Sequence, residues 1–315
     1  MMPHFKIRLT LGTLLLSVVT ASAQPASSPA STGQDPAADL IRQGQQKARE
    51  GQHDEALAIY RQVLAKSPDS FPAHVQTGVV LDLKGQYAEA RTHLAKAIEI
   101  APTPENKAQA LRTMAMSYAF ERKCGDAARY ASQVYETNIA AKDLIGAGEV
   151  ANELARVCLE SGDLDEAEKW YRRGHEAALQ EPNLKPDQKD LWDFRWEHAQ
   201  ARLAARRGNK VEAQKHVEAA KAIFDKGTNA NQAPFVPYLV GYVAFYTGDH
   251  QTALTELQKG NQNDPFILSL IAQTYEKLGD NAKAKEYYQK VLNSNAHNPT
   301  NAFARPLAKQ KLSSK

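Results

Sequence analysis

Cysteine, net charge and long apolar runs are all scarce in this 315-residue chain. Two cysteines, Cys124 and Cys158, are too few to frame a fold, and they lack the Cys-x-x-Cys spacing of redox and zinc sites. The formal net charge is only +3, so there is no broad basic field to draw in nucleic acid and no acidic tail. The apolar run Leu9 to Thr20 is a dozen residues long, against about 20 needed to span a bilayer, and no other stretch is long and apolar enough to cross one. Catalytic signatures are missing too. His175 to Leu179 opens like a zinc-protease motif but lacks the second His one helical turn on. No Gly-x-x-x-x-Gly-Lys phosphate loop and no Gly-x-Ser-x-Gly nucleophile elbow occurs. The nine histidines follow no metal-ligand spacing. These absences predict no catalytic residue, no metal ligand and no cofactor.

The N-terminus carries what remains of the hydrophobic signal. His4, Lys6 and Arg8 form a polar, basic start, the apolar run follows, and Ala21-Ser22-Ala23 supplies a small-x-small cleavage site before Gln24. That layout predicts a signal peptide over residues 1–23 and an exported protein, periplasmic or secreted, with no stable membrane insertion after cleavage. Loss of Lys6 and Arg8 with that segment leaves a net charge of about +1. Residues 24–36 are rich in Pro, Ala, Ser and Gly, can bury little, and predict a disordered leader.

The rest of the chain repeats itself. A Gly is followed five residues later by Ala at Gly51/Ala56, Gly85/Ala90, Gly162/Ala167, Gly208/Ala213, Gly248/Ala253 and Gly279/Ala284. Arg122/Ala127 fits the same pattern with Arg in the Gly slot. Seven residues before each turn residue stand Gly44, Gly78, Ala115, Ala155, Ala201, Gly241 and Ala272, every one Gly or Ala. This pattern resembles the tetratricopeptide repeat, of the exported bacterial kind given the leader. The resemblance implies an all-α, right-handed superhelical solenoid of about seven helix-turn-helix repeats over residues 37–298. Within each pair the small residues let two backbones approach. Leu81, Tyr118, Tyr275, Tyr60, Leu94, Tyr171, Leu257 and Tyr288 fill the space between pairs, and Pro68, Pro102 and Pro265 end second helices. Spacing between turn residues is uneven, with turn-forming insertions at Glu181–Asp187 and Lys226–Gln232, and the fifth unit fits the pattern least. Residues 299–315 predict a C-terminal capping helix and tail, broken near Pro306, with Phe303 and Leu307 on the last repeat and the lysines facing water.

The resemblance also implies function: arrays of this kind hold other proteins, so a protein or peptide ligand is the expected partner. First helices line the concave side. The positions just after each small slot and three before it read Ile41 and Gln45, Val75 and Val79, Arg112 and Met116, Asn152 and Arg156, His198 and Arg202, Tyr238 and Tyr242, Ser269 and Gln273. The groove is thus cationic in its middle and aromatic at unit six, where Phe245 and Tyr246 add to it. Asn152, Arg156, His198, Arg202, Tyr238 and Tyr242 are the candidate partner-binding residues. Arg suits carboxylates and Tyr offers rigid contact area, so an extended or helical peptide with acidic groups, or a free C-terminus, fits. The competing reading is that these aromatics are inter-repeat packing and the arginines are solvated. Some family members hold a chaperone's C-terminal acid with Lys and Asn of the first units; Ile41 and Gln45 stand here instead. An envelope-polymer or carbohydrate-binding accessory role is the alternative, since the aromatics also suit sugar rings. The oligomeric state is not legible. Trp192 and Trp196, four apart, read as a core anchor rather than an exposed patch. Cys124, early in the third unit's second helix, and Cys158, late in the fourth unit's first, sit on helices expected to pack antiparallel. They form either a disulfide, worth roughly 3–4 kcal/mol, or two separately buried thiols.

Overall fold

The computed structural model describes residues 36–313, and the predicted signal peptide, with all of the leader except Pro36, lies outside them. Among the described residues the fold is all-helical. Seven helix pairs follow one another: α1 (Pro36–Arg49) with α2 (His53–Lys66), α3 (Phe71–Lys84) with α4 (Tyr87–Ile100), α5 (Pro104–Phe120) with α6 (Cys124–Ala140), and α7 (Leu144–Ser161) with α8 (Leu164–Leu179). Then come α9 (Pro186–Arg206) with α10 (Lys210–Phe224), α11 (Phe235–Tyr246) with α12 (His250–Leu257), and α13 (Pro265–Lys277) with α14 (Asn281–Val291). A last helix, α15 (Pro299–Ser313), closes the chain. Each helix packs on its neighbours in sequence, which makes the array an α-solenoid.

Local chemistry sets the period. All seven turn residues have a positive φ, Arg122 included at +57°. This left-handed conformation stops the first helix and reverses the chain. In units four to seven the next residue is Asp163, Asn209, Asp249 or Asp280. Its side chain accepts the backbone N–H of Glu166, Glu212, Thr252 or Lys283 and so caps the second helix. The alanines five residues past the turns are fully buried or nearly so. The small slots face the large side chains of the partner helix. A Cβ on Gly44 would lie 2.3 Å from the Tyr60 ring, on Gly78 2.6 Å from Leu94, and on Gly241 2.7 Å from Leu257. The insertions are the connections into α9 and α11, the second holding a short 3-10 turn at Ala230–Gln232. Trp192 is buried, and its ring lies where a Cβ on Gly148 would meet it at 2.8 Å; the half-buried Trp196 stacks on His175.

Cys124 and Cys158 form a disulfide that joins the start of α6 to the end of α7. Of the two open readings, this one describes the structure.

The C-terminal helix departs from expectation. It runs unbroken through Pro306. Phe303 is buried edge-to-face on Phe266, and Leu307 packs against the last repeat, as a cap requires. Yet α15 also packs against α5 and α7. Arg305 Nε and Lys309 Nζ donate to the Leu83 carbonyl at 2.9 and 3.0 Å, and Lys309 donates to that of Lys84 at 3.0 Å. These carbonyls end α3, where helix geometry leaves acceptors without intrahelical donors and a partial negative charge. Lys309 therefore does not face water as expected. His297 Nε2, just before α15, lies 2.8 Å from Asp82 Oδ2, whose other oxygen accepts from Ser117 Oγ at 2.7 Å. The end of the array is tied to its second, third and fourth units. Pro265 also differs from its expected place: α12 ends earlier, at Leu257, and Pro265 opens α13. Its fixed φ and missing N–H suit the first turn of a helix as well as they suit a stop.

Candidate functional site

Four successive first helices, α7, α9, α11 and α13, converge on a cavity of 390 Å³. Asn152 and Arg156 are one turn apart on α7, and Phe194, His198 and Arg202 succeed each other by turns on α9, so each set shares a helix face. Tyr238 enters from α11 and Ile267 from α13. Gln232 and Pro234 approach from the connection into α11, Phe235 from the first residue of that helix, and Asn261 and Asp264 from the connection into α13. Five of the six residues named from sequence thus meet in one place. Of the other expected concave positions, Ile41, Val75, Met116 and Ser269 are buried, Gln45, Val79 and Gln273 are half-buried, and Arg112 is paired with Glu153 at 2.8 Å.

The wall is rich in unsatisfied polar groups. Arg156 Nε, His198 Nε2 and the Tyr238 hydroxyl are buried and have no hydrogen-bond partner among the described residues. Arg156 forms no ion pair among them; its guanidinium carbon lies 5.3 Å from the centre of the Phe266 ring. Arg202 is held rigidly, donating to the Tyr171 hydroxyl at 3.0 Å and to the His198 carbonyl at 3.3 Å. The His198 and Tyr238 rings stack with centroids 5.5 Å apart. Burial, then the charges of Arg202 and Arg156, push His198 well below the ordinary histidine range, so its imidazole is neutral at pH 7. Burial raises the Tyr238 phenol, which keeps its proton. Arg195 is neutralised by Glu149 at 2.6 Å. Asp264 Oδ1 accepts from the Phe266 and Ile267 backbone N–H groups at the start of α13. Two arginines without ion-pair partners thus face one partly engaged carboxylate, and the cavity is suited to an anionic or polar planar group.

Family models described as "Tetratricopeptide repeat" match residues 47–115, 112–180 and 267–298. This chain is a tetratricopeptide-repeat protein. Among solved structures it is similar to a tetratricopeptide repeat protein from Parabacteroides merdae ATCC 43184, with a TM-score of 0.53 and 13% identity over 88% of this chain and 97% of that one. A Podosopora anserina structure of nearly identical TPR-like repeats aligns with a TM-score of 0.49 and 20% identity, over 60% of this chain and 95% of that one. No curated protein matches the sequence.

Within this tetratricopeptide array, Tyr242 is the candidate that the structure moves out of the site. It is fully buried one turn beyond Tyr238, and its hydroxyl donates to Glu160 Oε1 at 3.0 Å. The same buried carboxylate is 3.3 Å from Arg206 Nη1, and Arg206 lies over the Tyr246 ring. That cluster joins α7, α9 and α11 and is packing, so the aromatic end of the expected groove is largely internal. Sequence reading missed Phe235, the first residue of α11, and Asn261 and Asp264, which approach the cavity from the connection into α13. The signals were Lys226–Gln232 as an insertion and Asp264-Pro265 as a helix start. Among the described residues, no group of three or more His, Cys, Asp or Glu side chains is placed to hold a metal ion, and no helix is long and apolar enough to cross a membrane.

Proposed function

We propose that this protein is an exported, non-catalytic interaction scaffold that holds a peptide segment of a partner protein at the cavity between units four and seven. The observation that carries this reading is the convergence there of three buried polar atoms without partners and two arginines outside any ion pair. A fold that keeps polar groups buried and unsatisfied at one place forgoes stability there, which is characteristic of binding sites. Tetratricopeptide arrays generally bind protein partners, and Phe235, a large apolar side chain 46% exposed at this cavity, offers contact area. The disulfide supports export, because such bonds persist in oxidising compartments.

A photo-crosslinking residue placed at Phe235, and in a second variant at Val211 on α10, tests the binding site in the native host. The expected result is a defined adduct from position 235 that is absent from 211 and disappears with Arg156→Ala. The same adducts from both positions, or capture unchanged by Arg156→Ala, overturns the reading. N-terminal sequencing of the mature protein tests export: a chain starting at Gln24 is expected, and one that retains Met1 overturns it.

A further inference from the structure

The chemistry of the cavity narrows what it holds. Arg156 presents a guanidinium with a buried Nε and no carboxylate partner. The Tyr238 hydroxyl, on a residue 4% exposed, and His198 Nε2, on a residue 7% exposed, line the same cavity without partners. Arg202 adds a second positive charge but is already fixed by Tyr171. Asp264 adds a negative one, which disfavours a ligand of charge −2. The volume of 390 Å³ suits one side chain with its backbone, or a free acid of similar size.

From this we propose that the cavity takes a carboxylate monoanion, with the Arg156 guanidinium as its counter-charge and the Tyr238 hydroxyl as a further donor. A planar fork of N–H donors matches two carboxylate oxygens, and the phenol supplies an O–H to one of them. His198 Nε2 donates in the tautomer that places its proton there. Phe235, at the mouth, covers the apolar part of the ligand. The carboxylate comes either from a free organic acid or from an acidic side chain of a peptide. This proposal rests on the cavity being the binding site described above.

The test uses the mature, disulfide-bonded chain and titration calorimetry. The free probes are phenylacetate, phenylacetamide and phenyl phosphate. The peptide probes are an N-acetylated, C-amidated hexapeptide with a single Glu and its Gln twin. The expected result is that a carboxylate probe binds at least about tenfold more tightly than its amide, the factor expected when a charge-assisted pair is lost. Arg156→Gln removes that preference, and Tyr238→Phe weakens binding about threefold to tenfold, in line with loss of one hydrogen bond. Tyr238→Phe does not lower the melting temperature of the unliganded protein, because the hydroxyl it removes has no partner in the fold. Tighter binding of the Glu peptide than of phenylacetate assigns the carboxylate to a peptide; binding of phenylacetate alone assigns it to a free acid, which keeps this proposal and removes the peptide scaffold. Equal binding of acid and amide, a preference that survives Arg156→Gln, tighter binding of phenyl phosphate, or no carboxylate binding at millimolar concentration overturns the proposal. A Gln peptide that binds as well as the Glu peptide overturns it while leaving peptide binding intact.

Discussion

His198 carries the cost of its surroundings in a measurable way. Burial first, then Arg202 and Arg156, hold its protonation well below the ordinary range. Above about pH 6.5 the imidazole is neutral in both folded and unfolded chains and has no effect on the balance. As pH falls below that value, the unfolded chain takes up a proton that the folded chain refuses, so stability is lost. We expect the melting temperature to fall between pH 7 and pH 5, and His198→Gln to flatten part of that slope; an unchanged slope would mean that His198 protonates freely in the fold. That His198 and Arg156 share a site was legible from sequence, because both occupy the same face in successive repeats. That Tyr242 does not was illegible: its register is equally good, but the carboxylate that takes its hydroxyl, Glu160, is 82 residues away in the chain. Arg122 illustrates the same limit. The repeat placed it in a glycine slot, and only the fold shows its guanidinium donating to the Glu160 and Phe303 carbonyls at 2.9 and 3.4 Å. Those bonds help to offset the roughly 1–2 kcal/mol that a left-handed backbone costs a residue with a Cβ.

Helix pairs are held at their spacing by the small slots, and two glycines on helices should respond oppositely to alanine. At Gly78 the helix gains about 1 kcal/mol of propensity, but the new methyl meets Leu94 at 2.6 Å and the Ala90 carbonyl at 3.2 Å. A backbone carbonyl cannot swing aside, and overpacking costs about 1–3 kcal/mol, so Gly78→Ala should be net destabilising. Gly125, in the first turn of α6, has nothing within 4 Å of a new Cβ. Gly125→Ala should stabilise by about 0.5 kcal/mol, and urea denaturation of the two variants distinguishes them. The disulfide acts between pairs. It joins α6 to α7 across a sequence separation of 34, for which the chain-entropy model gives roughly 3–4 kcal/mol. The Cys124→Ala/Cys158→Ala variant should lose about that much, and the denatured, unreduced wild type should titrate no free thiol. Two free thiols would show that the bond does not form. Sequence placed both cysteines on neighbouring helices but left their pairing open, since antiparallel packing alone does not fix how two Cβ atoms approach.

At the scale of the molecule, α15 changes how the repeats are coupled. An open solenoid couples each repeat only to its neighbours. Here Arg305 and Lys309 bind the end of α3, and Phe303 is buried among residues of the main core. Deletion of residues 299–315 should therefore speed hydrogen exchange in α3 and α5 as well as in α13 and α14. Loss of protection confined to α13 and α14 would show that α15 is only a local cap. Phe303→Ala should cost about 3–5 kcal/mol, as expected for a large buried ring.

The sequence by itself, through its spacing and the tetratricopeptide resemblance that the spacing carries, determined the all-helical repeat, the seven turns, the small-against-large packing inside each pair and the face on which Arg156, His198 and Tyr238 meet. All of these follow from local rules of period, capping and residue size, which act over one helix pair. Tertiary structure alone decided that Tyr242 is internal, that Phe235 and Asp264, at the starts of α11 and α13, complete the cavity, that the cysteines pair, and that Lys309 turns inward. Each of those depends on a partner from another repeat, and no local period records which carbonyl, carboxylate or ring that partner supplies.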